Sequence, residues 1–246
     1  MKRYNFYTTL LDAFQRYLDA ESIYEKYFNE KMSFAEYEAQ AKQELINKIN
    51  RVPFDSEAAD KGTAFNELVD VLAHKITSDK ITFTEEKGIY TVKHKDRIFN
   101  FDKAICEAIS EKIKGAIPQY FCSADLNVGD NIVNLYGYID EVKEFTIIDI
   151  KTTAKYQAFK FRNNWQHVVY PFCLNKSGIN IETFVYLVVE MSGKNVNIHE
   201  EIYNYNFGND ISRLYTMCDK FILFLETNRS LITDKKIFNE NIIIHK

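Results

Sequence analysis

The stretch from Tyr136 to Thr153 constrains the fold most. Two runs of alternating character, Tyr136-Gly137-Tyr138-Ile139-Asp140 and Ile147-Ile148-Asp149-Ile150-Lys151-Thr152-Thr153, lie either side of the turn signal Lys143-Glu144. Successive side chains of a strand point to opposite faces, so Ile148 and Ile150 lie on one face and Asp149 and Lys151 on the other. With Lys143-Glu144 as a two-residue hairpin turn, Val142 faces Phe145, Asp140 faces Ile147 and Tyr138 faces Asp149. Opposed residues share a face. Asp140, Asp149 and Lys151 therefore project to one side, the two aspartates as diagonal neighbours with Cβ atoms roughly 7–8 Å apart or somewhat less. A three-residue loop or a bulge would separate them.

Two carboxylates converging on a largely apolar sheet repel each other and bind protons more tightly, unless a cation offsets the repulsion. Hard oxygen ligands of this kind favour Mg²⁺ or Mn²⁺, with water and substrate phosphate completing the shell. Lys151, one strand repeat along, is placed to orient a water and to stabilise charge developing on a phosphate. The chemistry implied is hydrolysis of a phosphodiester. The plainer alternative is a surface hairpin with two solvated aspartates and a paired lysine.

Around this hairpin the chain reads as one α/β domain: a mixed central β-sheet flanked by helices, with residues 53–246 as the domain and 1–52 as an N-terminal helical extension packed on it. From Tyr4 to about Asn50, Tyr7, Leu10, Leu11, Phe14, Tyr17 and Leu18 recur at helical spacing, and Tyr24, Tyr27 and Phe28 continue the stripe. After Pro53, Asp55 or Ser56 caps a helix with Ala58, Gly62, Phe65, Val69 and Leu72 on its apolar face. Residues 81–101 alternate about Glu86-Lys87-Gly88 as a strand pair, and a helix runs from Asp102 to near Gly115. Strands are expected over 119–128, 131–142, 145–150, 181–191 and 196–206. Helices are expected over 161–175 and 209–228.

Three features lie in order around the hairpin. Upstream, Lys61-Gly62-Thr63-Ala64-Phe65-Asn66-Glu67-Leu68-Val69-Asp70 places Asn66 and Asp70 on one helix face, with Gly62 permitting close approach of another backbone. Downstream, Gln166 and Tyr170 are four residues apart on the expected helix, so an amide and a phenol share a face suited to phosphate or base edges. Between Asp149 and Glu182 there is no acidic residue, but there are Lys151, Lys155, Lys160, Arg162 and Lys176. That run follows directly on the charged strand.

The ordered set KGTAFNELVD, GYID, IIDIKTT and QHVVY resembles the RecB-like branch of the PD-(D/E)XK nuclease superfamily, which includes Cas4-type and phage-exonuclease-like enzymes. The resemblance spans about Pro53 to Tyr170, roughly half the chain. It implies a restriction-endonuclease-like core and a metal-dependent DNA nuclease, exonuclease-like in kind. Asp140 and Asp149 would hold Mg²⁺ or Mn²⁺, the Ile150 carbonyl would be a further ligand, and Lys151 would position the water. Gln166 and Tyr170 would shape the DNA-facing side, and Lys155, Lys160 and Arg162 would contact DNA. The branch commonly carries a histidine, an additional metal ligand, where this chain has Asn66. An amide oxygen binds a hard cation less firmly than a carboxylate or imidazole, so Asp70, or Glu67 on another helix face, is a candidate to compensate. A non-catalytic nucleic-acid-binding or assembly subunit and a small-molecule phosphohydrolase are the rival readings.

Composition narrows the partner's mode of contact. Lys+Arg 31 against Asp+Glu 35 gives a net charge of −4, which argues against coating DNA or an anionic membrane by bulk attraction and leaves a local basic cleft. No stretch is long and apolar enough to span a membrane, and no apolar leader precedes a cleavage site, so a cytoplasmic protein is expected. Cys106, Cys122, Cys173 and Cys218 lie far apart without a CxxC pair, which predicts free, buried thiols and no iron–sulfur cluster. His74, His94, His199 and His245 are scattered, and their spacing marks no site. His167 faces away from Gln166 on an ideal helix, and Trp165 is expected in the core.

Overall fold

The computed structural model describes residues 1–192 and 195–239. In chain order the elements are β1 (Arg3–Tyr7), α1 (Thr8–Leu18), α2 (Ala20–Tyr27), α3 (Phe34–Ile49), α4 (Glu57–His74), β2 (Ile81–Glu86), β3 (Ile89–His94), β4 (Arg97–Asp102), α5 (Lys103–Ile113), β5 (Ile117–Val128), β6 (Asn131–Lys143), β7 (Thr146–Thr153), α6 (Gln166–Lys176), β8 (Thr183–Ser192), β9 (Asn195–Asn204) and α7 (Phe207–Thr227). The fold is mixed α/β, with a six-stranded central sheet in the order β1-β6-β7-β8-β9 and β5 also paired to β6. The pairs β1–β6 and β7–β8 are parallel, and β5–β6, β6–β7 and β8–β9 antiparallel.

The two faces of this sheet bury separate cores. On one, α1, α3, α6 and α7 pack Leu10, Phe14, Leu45, Val168, Val169 and Phe221 against Val133, Leu135, Ile147 and Phe184. On the other, α4 contributes Ala64, Phe65, Leu68 and Val69 to a layer between Ile150, Leu187 and Val189 of the central sheet and Tyr90, Val92, Phe99 and Phe101 of a second sheet, β2-β3-β4. Lys95 and Arg97 of that second sheet grip Asp60 on α4. Ser56 caps α4 by accepting the Ala59 N–H, and Asp102 caps α5 through Ile105.

Several sequence expectations change. The N-terminal stripe is not helical from its start: Arg3–Tyr7 is a strand, with Tyr4 and Phe6 buried between partly or fully exposed neighbours. A five-residue alternation running straight into a helix is easily absorbed into the helical period. Residues 81–102 form three strands, because Lys95 takes a left-handed φ of 55° and makes a second turn. Ala58 is exposed, so the buried stripe of α4 begins further along. Helix α6 starts at Gln166 rather than 161. All four cysteines are free and buried, and Trp165 is in the core, both as expected. His245 lies outside the described residues. Among the described residues no helix is long and apolar enough to cross a membrane.

Candidate active site

The hairpin turns one residue later than expected, which shifts each cross-strand pairing by two. Lys143 pairs with Thr146, Val142 with Ile147 and Glu141 with Ile148, so the turn is Glu144-Phe145, Glu144 adopting a φ of 52°. The pairing ends at Glu141 and Ile148, one residue short of Asp140 and Asp149.

The ladder stops there for a topological reason. One edge of β6 is covered by β5 along its length, while the other edge is shared by β1, paired to residues 132–136, and β7, paired to residues 141–143. Gly137 to Asp140 have no strand partner on that edge. The carboxyl ends of β1 and β7 run toward this gap from opposite directions, and α1 begins at its rim with Thr8. The alternation of β6 also slips here. Ile139 and Val142 both lie in the core on the α6 side although they are three positions apart, so Glu141 turns to the α4 side with its partner Ile148. Opposite the slip, Gln119 on β5 has a φ of 49° and skips its pairing with Asp140.

In the gap the Asp140 side chain replaces the missing strand, Oδ2 accepting the Ile150 N–H at 3.1 Å. Asp149 is 1% exposed. Its Oδ1 accepts from Gln166 Nε2 at 2.5 Å, and its Oδ2 lies 2.6 Å from Lys151 Nζ. Tyr170, one turn along α6, hydrogen-bonds Thr8 at 3.2 Å and lies over Gly137, where an added Cβ would come within 2.7 Å of Cε1. Gln166 and Tyr170 are thus both buried, and their polar groups meet Asp149 and Thr8. His167 points the other way, stacking on Tyr203, as helical geometry predicted.

A third carboxylate, which sequence spacing did not show, comes from α1. Asp12 Oδ1 accepts the Trp165 N–H at 2.6 Å and its charge acts on Lys151. Burial pushes Asp12 up to about 6 against the pull of that N–H. Burial, then repulsion from Asp149, pushes Asp140 up to about 8 despite Lys151. Burial also raises Asp149, opposed by Lys151 and Gln166. For Lys151 burial favours the neutral amine, but Asp149, Asp140 and Asp12 outweigh it and the group ends above the ordinary lysine range. The charges of three carboxyls, Asp149 buried and Asp140 and Asp12 half-buried, act on one ammonium, an imbalance that a divalent cation would correct.

The helix α4 lies over β7. Gly62 packs where an added Cβ would sit 3.1 Å from Thr152 Oγ1, and Asn66 Nδ2 donates to the Ile150 carbonyl at 3.4 Å. Asn66 Oδ1 is buried with no hydrogen-bond partner. Two aspartates, a main-chain carbonyl and an amide supply oxygen donors of the kind a hard divalent cation takes. Glu67 faces elsewhere, bonded to Ser78 at 2.6 Å and to Lys80. Asp70 is not at Asp149 either; it meets His74 and Glu141, one ligand atom of each lying within 4.8 Å of the others. Burial first, then the neighbouring carboxyl, moves Asp70 to about 7, and burial moves Glu141 to about 8. Lys155, Lys160 and Arg162 are exposed after β7, Lys160 Nζ reaching Thr153 Oγ1 at 2.6 Å. Lys176 sits at the far end of α6, apart from them.

No family model and no curated protein matches the sequence. Among solved structures the chain is similar to SSO0001, with 13% identity, 91% of this chain and 78% of that chain covered, and a TM-score of 0.45. It is also similar to a "Putative exonuclease" from Eubacterium rectale, with 14% identity, 76% and 74% covered, and a TM-score of 0.45.

Proposed function

We propose that this chain is a Mg²⁺- or Mn²⁺-dependent deoxyribonuclease of the PD-(D/E)XK type, exonuclease-like in action. The observation that carries the reading is the meeting of Asp140, Asp149 and Lys151 at the gap that β1 and β7 leave along one edge of β6. Asp140, Asp149, the Ile150 carbonyl and the Asn66 amide are the groups that would hold the ion. When bound, such an ion supplies Lewis acidity toward a phosphodiester oxygen. Lys151, held at Asp149, orients the attacking water and offsets charge on the phosphate as the bond to the leaving oxygen breaks. Gln166 fixes the Asp149 carboxylate, and Asp12 fixes the start of α6 that carries Gln166. Lys155, Lys160 and Arg162, exposed beyond the strand, attract the phosphate backbone.

One observation favours a second reading. Asn66 stands where the branch has a histidine and spends its amide hydrogen on the Ile150 carbonyl, itself a ligand candidate. A chain with weakened metal binding would serve as a DNA-binding or assembly subunit. Incubating linear duplex and single-stranded DNA with the chain and Mn²⁺, beside Asp149→Ala and Lys151→Ala, separates the two. The nuclease reading expects cleavage that EDTA abolishes and that each substitution lowers by about 100-fold or more. Equal residual cleavage in all three proteins removes the proposed site. Salt-sensitive binding without metal-dependent turnover supports the second reading.

A further inference from the structure

Asp70 and His74 stand four residues apart on α4 and so present to one side. Glu141 meets them from β6 because the slip at Asp140 turns it to the α4 side of the sheet. His74 Nε2 lies 2.8 Å from Glu141 Oε1. Glu141 is fully buried and Asp70 is 4% exposed. One ligand atom of each of the three residues lies within 4.8 Å of the others. Even so, neither Asp70 Oδ1 nor Glu141 Oε2 receives a hydrogen bond from a donor group. The nearby donors are otherwise engaged: Lys80 and Ser78 hold Glu67, and Gln119 Nε2 reaches only Asp70 Oδ2, at 3.4 Å. The surroundings are apolar, with Leu68, Val69 and Ile148 in the adjoining core. Two buried acids with empty lone pairs and an imidazole at the third corner need a positive charge among them. A proton serves one carboxyl–carboxyl contact, whereas a cation serves all three groups.

We propose that Asp70, His74 and Glu141 bind a divalent transition-metal ion of the zinc class, at a site separate from Asp140 and Asp149 that fastens α4 to β6. The ligand set selects the ion: an imidazole among carboxylates suits Zn²⁺, Co²⁺ or Mn²⁺ and disfavours Mg²⁺ and Ca²⁺. Bonds of about 2.0–2.2 Å in a tetrahedral shell place ligand atoms ~3.3 Å apart. From a spread of at most 4.8 Å the side chains need converge by no more than about 1.5 Å. Three protein ligands would leave a fourth position for water. Glu141 shares its sheet face with Ile148, and Asp149 lies on the other face, so the site does not use the cleavage residues.

The test uses the full, tag-free chain, stripped with a chelator and reloaded with Zn²⁺ or Co²⁺. The expected result is one ion per chain at this site, one imidazole in the X-ray absorption spectrum of the zinc form, and visible d–d bands in the cobalt form. The binding persists in Asp149→Asn, and weakens at least 100-fold in His74→Ala and in Glu141→Gln. The Asp140–Asp149 ligand set contains no histidine, so the absorption spectrum of the unmutated chain distinguishes the two sites even if a substituted chain does not fold. A shell of oxygen alone overturns the proposal, as does binding that His74→Ala leaves intact or that depends on Asp149. Absence of binding overturns it too, and assigns the carboxyl pair to a shared proton.

Discussion

Asp140 does two jobs where β6 has lost its neighbour. Its carboxylate accepts from the backbone of Ile150 as a strand would, and its charge acts on Lys151 beside that of Asp149. The hairpin was legible in sequence, but its register was wrong by two, and parity could not settle the face of Asp140 because the alternation of β6 slips there. Asp12 was not legible, since its place depends on β1 and α1 packing beside a strand far along the chain. Glu141 and His74 were hidden for a different reason: nothing in the spacing of α4 or of β6 says that these two elements meet at those positions. Under the proposed function, Asn66 is the residue on which metal affinity would turn. Asn66→His supplies an imidazole beside the Ile150 carbonyl, and Mn²⁺ affinity measured by calorimetry is expected to rise about tenfold. No change in affinity would place Asn66 outside the ion's shell.

At the scale of elements, the site is a contact between α1, α6 and the gap in β6. The GYID glycine is required by that contact: Gly137→Ala sets a methyl against the Tyr170 ring, which Thr8 holds from the other side. Overpacking of this kind costs about 1–3 kcal/mol, read as a lower midpoint in denaturant. Helix α6 begins with Trp165 at its N-cap position, where no side chain of its own segment caps it, and Asp12 serves from α1 instead. Asp12→Ala is expected to lose about 1–2 kcal/mol of stability. Asp12→Asn keeps an acceptor and recovers most of that loss, while removing one of the charges around Lys151. The late start of α6 has the same origin: residues 157–164 bend in short turns until Asp12 captures the Trp165 N–H.

For the molecule as a whole, the α/β class followed from alternation and spacing alone, whereas the division into two cores and a second sheet did not. That division needed the turn at Lys95, whose sequence resembles any short polar loop. The buried acids also set a pH dependence. Asp12, Asp70 and Glu141 bind protons up to about 6, 7 and 8 in the folded chain, above the ordinary carboxyl range. The folded state therefore retains protons that the unfolded chain releases, and stability falls as pH rises from about 4 toward 8. Thermal midpoints of metal-free protein are expected to be lower at pH 8 than at pH 5. Divalent metal should narrow the difference by replacing the protons.

The sharing of one β6 edge by β1 and β7 also bears on how the molecule comes into being. Tyr7 pairs with Tyr136, so the first strand waits for more than half the chain before it has a partner. Contacts this distant in sequence form slowly, since loop closure precedes their reward. The hairpin of β6 and β7 can close early from neighbouring residues, yet the cleft has only one wall until β1 docks and carries α1 to the other side. Assembly of the carboxylate cluster is thereby a late event in folding, and a partly folded chain carries the motif without the chemistry.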